Sequence, residues 1–68
     1  MDEERLNLSI RKFLKLVGVS SQRDIEHAIA QATASGAITG TETLAATMSL
    51  EIPALQLKVK FDGDISLQ

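Results

Sequence analysis

The chain has no cysteine, no tryptophan and no tyrosine, and only one proline and one histidine in 68 residues. Each shortage excludes something. Without cysteine there can be no disulfide framework, thiolate metal site or thiol nucleophile. That usage fits a reducing cytoplasm. With His27 as the only histidine, no Cys/His or His/His metal set can form. Ser21 or Ser35 with His27 does not make a nucleophilic triad either. His27 is instead expected on the polar side of a helix. The two phenylalanines, Phe13 and Phe61, sit inside apolar periodicities, which leaves no base-stacking platform. No apolar run approaches the roughly 20 residues that cross a bilayer. The N-terminus, MDEER, is acidic where a secretory signal would be basic. These readings lead to a cytoplasmic chain with no membrane association.

The four glycines carry no nucleotide signature. Gly36 and Gly40 stand in GAITG, without the lysine or the preceding strand of a phosphate loop. Asp62-Gly63-Asp64 reads as a turn, because a calcium loop needs further ligands and a closing glutamate. The net charge is −2 with both signs present, which disfavours nucleic acid as a partner. No paired acid and base and no activated nucleophile is visible. The expectation is a protein that is not an enzyme and has no cofactor, no metal and no catalytic residue.

What the chain does have is pattern. From Leu44 to Leu67 apolar and polar residues alternate with period two, the mark of strands with one dry face and one wet face. Ala46, Met48, Leu50 and Ile52 share a face. So do Leu55, Leu57, Val59 and Phe61. Pro53 suits position i+1 of a tight turn, so 46–52 and 55–62 are expected to pair antiparallel. Asp62-Gly63 is a second turn signal, with Ile65 and Leu67 as a short third strand. A two-residue loop there would put Ile65 on the face of Lys60. Either a bulge corrects the register, or the strand runs on through Gly63. The bulged turn is the expected form.

The N-terminal half has helical spacing. Leu6, Ile10, Phe13, Leu14 and Val17 form one stripe of a helix over Asp2 to Val17, with Asp2 as its cap and Gly18 as its stop. Ser21 then looks like the cap of a second helix over 21–35, with Ile25, Ala28, Ile29 and Ala32 as its apolar face and Gly36 at its end. The order ααβββ gives an α+β fold: two N-terminal helices packed on one face of a small antiparallel sheet of two to three strands, in a single domain over 1–68. Ile10, Phe13, Leu14, Val17, Ile25, Ile29, Leu50, Leu57, Val59 and Phe61 are its expected core.

Two surfaces stand out as candidate sites. Leu8 lies opposite the apolar stripe of the first helix, among Glu4, Arg11, Lys12 and Lys15. An apolar residue framed by cations suits an acidic, amphipathic protein segment. The other pattern is helix–turn–helix. Phe13 to Ser20 is similar to the first helix and turn of such DNA readers, which would make Gln22 and Arg23 base or phosphate contacts on helix 21–35. The pattern departs at Leu14, where a small residue is usual, and at Asp24, where an apolar one is. The preferred function is therefore a protein-interaction or accessory domain, with a weak DNA-binding regulator as the alternative. A monomer is favoured over a homodimer made by pairing the edge of strand 46–52 across a two-fold axis.

The run MDEERLNLSIRKFLKLVGVSSQRDIEHAI resembles a family of short bacterial proteins of unknown function, and the likeness extends through the Gly36–Gly40 connector into the strands. The resemblance implies a stand-alone bacterial domain. It implies no activity, substrate or site residue.

Overall fold

The computed structural model describes all 68 residues. The elements are α1 (Glu3–Ala34), β1 (Thr43–Ile52), a single 3-10 turn (Pro53–Leu55) and β2 (Leu57–Ser66). They fall into two units, Met1–Ala37 and Ile38–Gln68. The class is α+β, with one long helix followed by a two-stranded antiparallel sheet.

The first unit is one 32-residue helix, not two. At 1.5 Å per residue it is about 48 Å long. Its start is local chemistry: the Asp2 carboxylate accepts from the Arg5 N–H at 3.1 Å, and Glu3 and Glu4 occupy the first turn, where the helix dipole favours acids. Its end is equally local. Gly36 takes φ 79, its N–H donates to Thr33 O, and the Ala37 N–H reaches Ala32 O. This is a Schellman closure, which needs the left-handed residue that glycine supplies. Gly18 does not stop the helix. A lone interior glycine costs only about 1 kcal/mol relative to alanine. No proline follows it, and each helical residue added to a growing helix contributes its own hydrogen bond. The spacing Ile10, Leu14, Val17, Ser21, Ile25, Ala28, Ala32 also passes through Gly18 without a phase break.

The second unit is a β-hairpin. Ile52 pairs with Leu57, which leaves Pro53 to Gln56 as a four-residue loop. Pro53 opens the 3-10 turn, the Gln56 N–H donates to Pro53 O at 3.0 Å, and Gln56 closes the loop at φ 52. Leu55 therefore belongs to the turn and not to the strand's apolar face. The expected turn at Asp62-Gly63 is absent, and so is the third strand. Residues Asp62, Gly63, Asp64 and Ile65 lie within β2, and Gly63 pairs with Ala46. The physical reason is the unbroken alternation: β1 has partners in register from Thr43 to Ile52, and a turn at Gly63 would strip Thr43 to Ala46 of theirs. A further bond from the Leu67 N–H to Glu42 O extends the ladder.

The pairing puts the large apolar residues of both strands on one face. Leu44 stands opposite Ile65, Ala46 opposite Gly63, Met48 opposite Phe61, Leu50 opposite Val59, and Ile52 opposite Leu57. On the other face Thr47 Oγ1 donates to Asp62 Oδ1 at 2.9 Å, and Lys58 lies 3.8 Å from Glu51. The expected core is not formed. None of its ten residues is buried, and no side chain in either unit is. Phe13 is 51% exposed and Phe61 56%. Val17, Ser21, Ile29 and Ala32 of the helix, and Leu44, Leu50, Leu57, Val59 and Ile65 of the hairpin, are half-buried. No helix is long and apolar enough to cross a membrane.

Candidate interaction surfaces

The helix carries two apolar faces. One is the long stripe from Leu6 to Ala32. The other centres on Leu8, roughly 170° away on a wheel of 100° per residue. Leu8 is 54% exposed, and Arg11, Lys12 and Lys15 are exposed beside it. Exposure alone does not distinguish Leu8, since Ile10, Phe13 and Leu14 are comparably open. Its placement does. Leu16 and Val19, 64% and 50% exposed, lie eight and eleven residues on and share its side of the helix. Arg5, Lys12, Lys15 and Arg23 flank them there. The face is thus a short apolar strip with more cations than acids beside it, Glu4 and Glu26 being the acids on that side. Leu16 and Val19 extend the face expected from Leu8, Arg11, Lys12 and Lys15, and their spacing from Leu8 is the signal in the chain that reveals them.

Gln22 and Arg23 are exposed as well. The geometry that would have made them DNA contacts is missing. Residues 17–21 are helical throughout, so no turn separates 21–35 as a recognition helix. The helix–turn–helix pattern is corrected by the continuity of α1.

No group of three or more His, Cys, Asp or Glu side chains comes together as metal ligands could. His27 is exposed on α1. The one polar cluster with organised geometry is in the connector before β1, where the Glu42 carboxylate accepts from three successive backbone N–H groups. The distances are 2.8 and 3.1 Å from Thr39, 2.9 Å from Gly40 and 3.1 Å from Thr41. The Thr39 and Thr41 hydroxyls meet at 2.9 Å. Gly40 takes φ 95, a conformation that suits glycine. The N–H of Thr39 is the largest influence on Glu42. Against some desolvation, it, the N–H groups of Glu42 and Gly40 and the Thr39 side chain lower the pKa from 4.5 to about 2. The cluster is a nest of N–H groups filled by the chain's own carboxylate, and it shapes the entry into β1. On the hairpin, shallow depressions lie along Ala45, Ala46, Thr47, Asp62, Gly63 and Asp64 and beside the Pro53 turn. Both are open to solvent.

No curated protein and no solved structure matches the chain. A family model described as a family of unknown function, DUF6494, matches residues 1–68. The chain belongs to that family.

Proposed function

We propose that the protein is a non-catalytic interaction or accessory module of the cytoplasm, and that it offers the outer face of α1 to an acidic, amphipathic protein segment. The observation that carries this reading is the strip of Leu8, Leu16 and Val19, all exposed, on the side of the helix opposite the long stripe. The strip would supply apolar burial, while Arg11, Lys12 and Lys15 would steer an acidic partner and set the on-rate. Desolvated anchors near the centre of a surface dominate such binding, which makes Leu8 and Leu16 the residues of greatest effect.

The test is affinity capture from the native host with the natural chain and with Leu8→Ser. The expected partner carries an acidic amphipathic segment, releases with rising salt and is lost with Leu8→Ser. The melting temperature should hardly move, because Leu8 is not packed. A partner that binds Leu8→Ser as well as the natural chain would remove the face from consideration.

A further inference from the structure

We propose that the protein pairs with a second copy of itself along the outer edge of β1, making a four-stranded antiparallel sheet with one continuous apolar face. This surface is separate from the outer face of α1 and does not depend on it.

The hairpin has two free edges, and they are not alike. β2 carries Lys58, Lys60, Asp62 and Asp64, charges of the kind that keep an edge from pairing. β1 carries only Glu51 in ten residues. Its edge is long, unguarded and free of proline. A two-stranded hairpin alone is marginal in water, and three or more strands with an apolar face are needed for stability. This hairpin buries no side chain, and two further strands beside it would cover one of its open edges.

The sequence of β1 fits its own copy. A two-fold axis normal to the sheet runs the two β1 strands antiparallel and keeps both apolar faces on one side. Directly opposite residues must share a face, so the axis passes through a residue. Full overlap of the ten-residue strands puts it at Thr47 or Met48. With the axis at Thr47, Ala46 faces Met48 of the second copy and Leu44 faces Leu50. With the axis at Met48, Ile52 faces Leu44. Neither register brings Glu51 against Glu51. The pairing therefore joins apolar to apolar and no like charges.

Sedimentation of the natural chain at roughly 100 μM, where mass action favours pairs, is expected to give twice the 7.3 kDa chain mass. A monomer there would overturn the proposal. The absence of native cysteine allows a clean second measurement. Under mild oxidation Thr47→Cys or Met48→Cys should cross-link rapidly, since opposed residues approach disulfide distance only near the axis. Lys60→Cys, on β2, should not. A dimer in which neither central variant cross-links faster than Lys60→Cys would place the contact elsewhere and refute the β1 edge. Thr47→Lys keeps an opposite charge across the hairpin at Asp62 but sets lysines at the axis. It should raise the dimer Kd by about ten-fold or more. If that variant fails to fold, the cross-linking still decides.

Discussion

Gly18→Ala is expected to stabilise the protein by about 1 kcal/mol, the usual gain for replacing a glycine inside a helix. Three observations set the sign. Gly18 lies in the middle of α1, its φ is outside the left-handed region, and an added Cβ would meet nothing within 4 Å. No packing term opposes the gain in backbone entropy. For a chain of this size, that corresponds to a rise of about 4–8 °C in melting temperature. Gly36→Ala should do the opposite. There too a Cβ would meet nothing, but φ is +79, and a non-glycine residue in that region costs about 1–2 kcal/mol. Urea titrations followed by far-ultraviolet circular dichroism would measure both variants. Protein concentration must be held fixed, because association makes apparent stability concentration-dependent. The reasoning requires a higher midpoint for Gly18→Ala with an unchanged slope. A lower midpoint, with a loss near that of Gly36→Ala, would mean that Gly18 terminates a helix and that α1 is two helices.

On the hairpin, Gly63→Ala should also stabilise, by about 0.5–1 kcal/mol, since glycine weakens a strand interior and nothing lies within 4 Å of the added methyl. A destabilised variant, by the same urea titration, would show that another element packs closely over Gly63. Phe13→Ala should cost about 1 kcal/mol and not the roughly 3 or more of a buried aromatic, because Phe13 is half exposed. A larger loss would place Phe13 in a packed interface. The Glu42 nest should survive mild acid. A carboxylate with a lowered pKa contributes fully above its ordinary 4.5 and loses that contribution as pH falls toward about 2. The amide resonances of Thr39, Gly40 and Thr41 should therefore titrate with a midpoint near 2, and a midpoint near the ordinary value would refute the hydrogen-bonded arrangement.

Signals that act over a few residues were legible in the chain itself. Asp2 caps α1 and Gly36 closes it, because each depends on hydrogen bonds to residues three to five positions away. The Pro53 turn and the apolar face of Met48, Leu50, Val59 and Phe61 follow from φ restriction and from period-two alternation. The same arithmetic puts Leu8 opposite the helix stripe. Sequence and structure part where a local stop signal competes with a longer-range gain. Gly18 resembles a helix terminus, yet its penalty is small beside a ladder of hydrogen bonds that continues through it. Asp62-Gly63 resembles a hairpin turn, yet Gly63 has a partner in Ala46 far away in the chain, and the three pairs beyond it, Ala45 with Asp64, Leu44 with Ile65 and Thr43 with Ser66, depend on staying in register. That choice belongs to strand pairing and cannot be seen in the dipeptide. Periodicity also shows which side of an element is apolar without showing what covers it. Phe13 and Phe61 lie on their expected faces, but burial is a property of neighbours in space, and only the folded arrangement reveals that these faces are left open within each unit.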